Sequence, residues 1–369
     1  MIILLNFNVK NTYQVLTTCT INLALKNNET ICHQYVLIRG SITCPVKQPS
    51  YPNDIDPTKG RFIRVNSDVI ASNSLNSWPV SSLNEFKVTA FLKKGKNNLV
   101  LNYNYKGLET GTVSLTLNYV ENMNLQPLNL GILLAKDSKK VFDMDTASKA
   151  KGEKNDLNSA IKRVRTAALL WQALTSDSLN SNGFGRLSFR LDLDSNNGLL
   201  KKYSLVSYVV FYFKISKIAP IVNIFTSSLT VNEMLSKTAG TNNDPLFGIA
   251  NDAILASTFY TSKPAVIAKN SVVACLLLDS FYDKNQKKVF LHTALGSGYT
   301  NPRIGIFGSH LTHAWPEDET QLISRFLDST PLDFNQLADD SSPNKYEALN
   351  TGIGAFLHEA GHAHTLGGH

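Results

Sequence analysis

Three residues close to the last position of the chain have the types and spacing of a metal-dependent hydrolytic site: His358, Glu359 and His362, in the order H-E-x-x-H. Positions i and i+4 of a helix lie on one face, so both imidazoles can point at one metal ion, and Zn²⁺ is the ion that this spacing favours. Glu359 can then reach a zinc-bound water, whose pKa is about 7, and take its proton as general base. The chemistry indicated is the hydrolysis of a peptide bond.

The residues before this motif predict a helix that runs through it, because apolar side chains recur there at helical spacing. They are Ala348, Leu349, Ile353, Phe356 and Leu357. Gly352 and Gly354 suit a helix that packs closely against another backbone, and Gly361 predicts close approach on the back face of the motif. The alternative is a surface helix rich in His and Ala, but it explains neither the position of the glutamate nor the turn that follows.

A third ligand is predicted at His369, because the pair Gly367-Gly368 can end the helix and turn the chain back. The three-histidine zincin pattern would place glycine at 365 and histidine at 368, whereas this chain has Thr365 and Gly368 there. Either the turn is one residue longer, or His369 is not a ligand. His364 is a poor substitute, since it points to another side of the helix.

Length and composition are those of a globular protein with more than one domain. The 369 residues are 43% hydrophobic and 18% charged, and the net charge is +7. Lys and Arg are scattered in short pairs, without the aromatic-interleaved basic stripe of a nucleic-acid-binding surface. We therefore expect no nucleic-acid partner, and two domains at 1–125 and 126–369.

The cysteines and the apolar segments indicate in which cellular compartment the protein is expected. Cys19, Cys32, Cys44 and Cys275 show no C-x-x-C spacing, so we expect no complete disulfide framework and favour a reducing, cytoplasmic environment. Cys275 lies in an apolar run that reads as a buried strand with an inert thiol. The first eight residues read as a strand rather than a signal peptide, and no run reaches the length of a membrane span.

Residues 1–125 have the signature of an antiparallel β-sandwich, with short Val-, Ile-, Thr- and aromatic-rich runs between turn residues. The predicted strands include Ile21–Leu25, Gln34–Gly40 and Phe86–Leu92, and a hairpin of Asn98–Tyr105 with Gly111–Tyr119. Such a domain could bind peptide or carbohydrate. No constellation of site residues appears in it, so support of the other domain is the favoured role.

From residue 126 the pattern changes to alternating strands and helices, which predicts an α+β layer arrangement. Predicted helices are Asp156–Thr175, Thr230–Lys237, Pro245–Thr258 and Glu317–Asp328, and predicted strands are Leu130–Ala135, Tyr203–Phe213, Lys269–Asp279 and a turn and strand over Phe184–Asp192.

A glycine-rich turn, His292–Gly298, precedes a predicted strand at Arg303–His310. We interpret this region as an edge strand beside the cleft, where the glycines allow the backbone of a substrate to approach and add as a further strand. His310 and His313 stand three apart, but the latter is followed at once by Trp315-Pro316. They are therefore interpreted as loop histidines near the cleft rather than as metal ligands.

Several segments together resemble one family. They are the Asn155–Thr175 helix with Ala167–Leu174 inside it, Ser188–Asp192, His292–Gly296, Ile306–His310 and Gly352–His362. Over residues 130–369 the chain resembles the fungal putative zinc metallopeptidases, a family with the HEXXH motif that is similar to the metzincins. The resemblance implies zinc on His358 and His362, Glu359 as general base, and a third histidine role that falls on His369. It also implies a zincin-like domain whose methionine turn and lower part lie beyond residue 369.

The sequence thus predicts a zinc-dependent metallopeptidase with a peptide or protein substrate. The alternative is a non-catalytic, truncated zincin that acts as a binding or structural protein through its β domain. A zinc hydrolase that acts on a non-peptide carbonyl is a third hypothesis, because the motif itself does not define the substrate.

Overall fold

The structure is a computed structural model that describes residues 18–45, 60–67, 77–106, 108–194, 219–239, 244–338 and 342–364. The chain forms two compact units. The first takes in the described residues of Met1–Glu29, Leu37–Ala90 and Lys96–Asn118, and the second those of Thr30–Val36, Phe91–Gly95 and Tyr119–His369. The predicted strands at the very start of the chain and at Tyr203–Phe213 lie outside the described residues.

The N-terminal strands form two sheets. They are β1 (Thr20–Leu23), β2 (Glu29–Ile31), β3 (Tyr35–Thr43), β4 (Arg61–Ser67), β5 (Ser77–Pro79), β6 (Glu85–Phe91), β7 (Gly95–Tyr105) and β8 (Leu108–Tyr119). One sheet has the order β1-β3-β6 and the other β2-β8-β7-β4-β5, with antiparallel pairing of β1 with β3 and of β4 with both β5 and β7. Burial alternates along β7, as expected for a strand with one face in a core. The hairpin predicted over residues 98–119 is confirmed as β7 and β8.

A disulfide joins Cys19 to Cys44, which the cysteine spacing did not predict. The antiparallel register explains it: Thr20 pairs with Thr43, so the two cysteines are the next facing pair, with Cα atoms 4.3 Å apart. Cys32 and Cys275 are free thiols. Because disulfides persist in oxidising compartments, this bond removes the cysteine argument for a reducing environment.

The second unit is built on a six-stranded sheet with the order β10-β9-β14-β18-β17, in which β13 also pairs with β9. The strands from residue 127 onward are β9 (Pro127–Leu134), β10 (Arg190–Leu191), β11 (Leu193–Asp194), β12 (Ala219–Pro220), β13 (Val222–Thr226), β14 (Val272–Leu277), β15 (Phe281–Asp283), β16 (Lys288–Phe290), β17 (Leu295–Ser297) and β18 (Arg303–Gly308). β9, β14 and β18 are parallel to one another, and β17 is an antiparallel strand at one edge.

The central strands of this sheet are apolar along their whole length, which is typical of parallel strands covered on both faces. All six residues of β14 are buried, and seven of the eight in β9. The predicted strands Leu130–Ala135 and Lys269–Asp279 are therefore confirmed. Cys275 is fully buried in β14, as predicted, and burial raises the pKa of its thiol to about 12.

Eight α-helices accompany the described strands. They are α1 (Thr146–Ala150), α2 (Leu157–Ser181), α3 (Val231–Thr238), α4 (Asp244–Leu255), α5 (Thr258–Thr261), α6 (Ala265–Lys269), α7 (Leu322–Phe326) and α8 (Lys345–Ala363), with 3-10 turns at Ser309–Ala314 and Glu319–Gln321. α2 begins where the Asp156 carboxylate accepts a hydrogen bond from Ser159 N at 2.8 Å, and it runs six residues beyond the prediction. The helix predicted at Glu317–Asp328 is instead a 3-10 turn followed by α7.

The fold class is α+β, as predicted. Within the described ranges, no helix has both the length and the apolar character that crossing a membrane requires.

Candidate active site

The motif histidines lie side by side on α8. The Nε2 atoms of His358 and His362 are 2.9 Å apart, and the two rings are perpendicular, with centroids separated by 4.5 Å. Two Zn–N bonds of about 2.0–2.1 Å at a tetrahedral angle place the nitrogens about 3.3 Å apart, so a small opening of the pair accommodates the ion. His358 is exposed and His362 is half-buried. The type and spacing of these two nitrogens therefore suit two of the ligands of one zinc ion.

Glu359 lies on the buried side of the same turn and is only 8% exposed. Burial raises the pKa of its carboxyl group above the ordinary value, while the neighbouring His358 and His362 act in the opposite direction. A carboxylate whose pKa is moved toward neutrality is a stronger base than an exposed one. This carboxylate is therefore suited to accept a proton beside the His358–His362 pair.

Two glycines bring the backbone of α8 onto the sheet at the motif. Gly296 of β17 and Gly305 of β18 face each other in the antiparallel register. A Cβ atom on Gly305 would lie 2.6 Å from the carbonyl carbon of Glu359, and one on Gly296 would lie 2.8 Å from Cβ of His362. Any side chain at either position would push α8 away from the strands.

This contact corrects two predictions. The glycine-rich segment was interpreted as lining the path of a substrate, but Gly296 and Gly305 face the active-site helix, because the helix backbone occupies the space above them. Close approach was also predicted at Gly361 and Gly354, yet a Cβ atom on either would meet open space. Gly352 is closely packed, but against side chains rather than another backbone: Trp315 Nε1 is 2.7 Å from where its Cβ would lie.

α2 supports α8 from another side through a residue that the sequence did not single out. Trp171 is fully buried, and its indole Nε1 donates a hydrogen bond to the carbonyl oxygen of Ile353 at 2.9 Å. Its ring also contacts Phe356 edge-on, with centroids 4.9 Å apart. A tryptophan in the middle of the apolar face of a long helix was the available signal, since a buried indole requires a hydrogen-bond acceptor.

The other histidines near the motif are in the interior. His310 and His313 lie in the 3-10 turn Ser309–Ala314 and are 1% and 2% exposed, so the interpretation as cleft histidines in a loop was wrong. Burial lowers the pKa of His313 to about 3. His364 follows α8, stacks on Phe189 with centroids 5.8 Å apart, and is not brought to the motif pair.

The predicted third ligand, His369, lies outside the described residues, together with the glycine pair before it. In the part of the chain that the structure describes, no three His, Cys, Asp or Glu side chains come together in a way that could hold a metal ion. The described part of the site thus consists of two histidines and the neighbouring carboxylate.

Comparison with known proteins matches most of the chain. The model of a family described as "Putative peptidase family" matches residues 20–369. A putative zinc metalloproteinase of Schizosaccharomyces pombe is 28% identical over 93% of this chain and 49% of its own length, and one of Saccharomyces cerevisiae is 27% identical over 96% and 45%. The chain therefore spans about half the length of these relatives.

Among solved structures, a putative membrane anchored protein from Corynebacterium diphtheriae covers 30% of this chain and 22% of its own, with 13% identity and a TM-score of 0.19, which is too low to indicate a shared fold. The match of the family model over residues 20–369 shows that this chain belongs to the family described as "Putative peptidase family".

Proposed function

We propose that this protein is a zinc-dependent peptidase in which His358 and His362 bind the metal and Glu359 is the general base. The observation that carries the proposal is the 2.9 Å separation of the two Nε2 atoms on one exposed turn of α8, with a buried carboxylate in the same turn. The names of the fungal relatives support zinc as the metal.

The proposed role of each residue follows from its position in the site. Zinc, when bound, polarises a carbonyl oxygen and increases the acidity of a water molecule. His358 and His362 would hold the ion. Glu359 takes the proton of the attacking water and can deliver it to the leaving amine. The seating of α8 on Gly296 and Gly305 keeps these groups from shifting relative to the sheet.

The edge strand indicates how a peptide would lie. β17 pairs with β18 on one side, and the described part of the sheet has no further strand beyond it. An extended peptide can add to such an edge through main-chain hydrogen bonds, with its direction set by the strand. This edge is next to the motif, because Gly296 in β17 is in contact with the backbone of Glu359. We propose a peptide or protein substrate held in this way.

The finer features of the proposal are the third ligand and the subclass. His369 is proposed as the third ligand, after a helix-ending glycine pair. Parallel strands with an antiparallel edge strand above an active-site helix support a metzincin-like, zincin-type domain. The proposed partner is a peptide or protein, not a nucleic acid or a membrane. A cytoplasmic location is no longer part of the proposal, because the Cys19–Cys44 disulfide is typical of oxidising compartments.

The test combines metal content with peptide cleavage. We expect the purified 369-residue chain to contain about one zinc ion by elemental analysis and to cleave an unstructured protein such as casein, with loss of cleavage in 1,10-phenanthroline and recovery on addition of Zn²⁺. Glu359→Gln should keep the zinc and lose about 10²–10⁴-fold in rate. His358→Ala and His362→Ala should lose both zinc and activity.

Glu347→Gln is the matched control, because this glutamate lies in the first turn of the same helix. It should behave as the parent chain in both assays. Zinc retained in His369→Ala would reject the third ligand but not the peptidase. Zinc binding without cleavage by the parent chain would favour the non-catalytic alternative, and a chain without zinc would overturn the whole proposal.

A further inference from the structure

A second cluster of groups that can bind a metal lies in a small cavity of the same compact unit. Cys32, a free thiol, and His33 are neighbours in the bend between β2 and β3. Both line a cavity of about 10 Å³, together with Tyr119, Glu121 and Arg190. A space of this size holds one ion or one water molecule.

The imidazole of His33 points to a ligand. It is 2% exposed, and neither of its ring nitrogens has a hydrogen-bond partner among the described residues. A buried polar group without a partner destabilises the folded protein. A neutral imidazole has one ring nitrogen with a free lone pair, and no described residue donates a hydrogen bond to it here.

The other polar side chains that line the cavity are unsuitable as ligands, which leaves Cys32 and His33. Tyr119, Gln34 and Gln172 also line the cavity, but their oxygen atoms suit hard ions rather than soft ones. Since no three His, Cys, Asp or Glu side chains of the described residues converge on one point, Glu121 is not a third ligand. For a soft ion, the cavity therefore provides one thiol sulfur and one imidazole nitrogen.

The charge and the preferred coordination number of candidate metal ions indicate which ion these two ligands would bind. Zinc requires three or four protein ligands, whereas a soft d¹⁰ univalent ion accepts two and prefers thiolate sulfur. A univalent ion bound by one thiolate and one neutral imidazole forms a complex without net charge, which burial penalises least. A divalent ion would leave the buried complex with a net positive charge, which burial penalises more strongly.

We propose that Cys32 and His33 form a second metal site, sharing no residue with the His358–His362 pair, that binds a soft univalent ion of the Cu⁺ type. Binding is an exchange of a proton for the metal: the S–H bond of Cys32 breaks, the proton is released to solvent, and an S–Cu bond and an N–Cu bond form. No electron is transferred.

The test is an anaerobic titration of the full chain with Cu⁺ in competition with a chromogenic Cu⁺ chelator. We expect the protein to withdraw one equivalent of Cu⁺. Cys32→Ser and His33→Gln should each reduce the affinity by at least tenfold. X-ray absorption of the loaded parent chain should show one sulfur and one nitrogen neighbour, which identifies the site even if a variant fails to fold.

Three controls use the other possible ligands of the chain. Cys275→Ser removes the fully buried thiol, the double substitution Cys19→Ser/Cys44→Ser removes the disulfide, and His358→Ala/His362→Ala removes the motif pair. Each should retain the equivalent of Cu⁺. No uptake by the parent chain, full uptake by Cys32→Ser or His33→Gln, or loss in the motif double variant would each overturn the proposal, and none of these results depends on peptidase activity.

Discussion

Gly305 packs directly against the backbone of Glu359, the general base of the proposed site. This close contact is possible because glycine has no side chain. A Cβ atom at Gly305 would be 2.6 Å from the carbonyl carbon of Glu359 and 2.8 Å from the amide nitrogen of Ala360. These are backbone atoms of a helix and cannot rotate away as the end of a side chain could. The position of the motif relative to the sheet therefore depends on this glycine.

Gly305→Ala should destabilise the protein by about 1–3 kcal/mol, because α8 must move or β18 must bend to admit the methyl group. Denaturant unfolding measures the free-energy change, and zinc content shows whether the ligand pair is displaced. Gly354→Ala is the matched control on α8, since a Cβ atom there meets open space. It should stabilise the protein, by up to about 1 kcal/mol, through helix propensity. Equal effects of the two substitutions would contradict the role of Gly305.

The two fully buried tryptophans beside α8 allow the indole hydrogen bond to be measured. Trp171 donates to Ile353 O, whereas Trp315 Nε1 has no partner among the described residues. Both changes to Phe remove a similar volume, but only Trp171→Phe also removes a hydrogen bond of about 0.5–1.5 kcal/mol. We therefore expect Trp171→Phe to lower the free energy of unfolding more than Trp315→Phe. The opposite order would show that Trp171 supports α8 by packing alone.

Arg163 is a buried residue whose hydrogen bonds hold the backbone of the segment that contains Trp315. It is 1% exposed, donates hydrogen bonds to the carbonyl oxygens of His313 and Trp315, and lies 3.7 Å from the carboxylate of Glu317. Arg163→Met should cost about 3–5 kcal/mol, because the buried carbonyl oxygens lose their donor and the partly buried Glu317 carboxylate loses one of its two cationic partners. Unfolding by denaturant, monitored by circular dichroism, measures the loss.

Lys162→Met is the control for this substitution, because Lys162 is the adjacent residue and binds the same Glu317 at 3.1 Å from a half-exposed position. A surface ion pair contributes about 0–1 kcal/mol. A cost for Lys162→Met that approaches the cost for Arg163→Met would place the stabilising charge at the surface rather than in the interior.

Stability should fall in mild acid because two histidines are buried in the neutral form. Their pKa values in the folded protein are about 4 for His33 and about 3 for His313, against about 6.5 when unfolded. Below pH 6.5 the unfolded chain binds more protons than the folded one, so stability decreases as the pH falls from 6.5 toward these folded values. At pH 5 the loss is about 2 kcal/mol for each histidine.

Denaturant unfolding at pH 7.5 and pH 5 measures this effect. His33→Gln should make the difference between the two pH values smaller by about 2 kcal/mol, because glutamine does not titrate. An unchanged difference would mean that His33 is protonated, or is reached by water, in the folded protein.

The helices and strands that depend on local sequence patterns could be predicted from the sequence. The spacing of His358 and His362 needs only a helix to bring the two rings together, and the apolar period of the preceding residues predicts that helix. α2, which begins at the side chain of Asp156, and the apolar strand β14 are likewise short-range signals. Each depends on residues a few positions apart, so the printed sequence contains the information.

The role of single residues in long-range contacts was decided by the tertiary structure alone. The sequence shows glycine at 296 and 305, but whether a glycine admits a substrate or a helix depends on which backbone packs above it, here more than fifty residues later in the chain. The Cys19–Cys44 bond follows from the pairing register of β1 with β3, and a register is a property of two strands together. Packing also buried His313, whose sequence neighbours gave no sign of it.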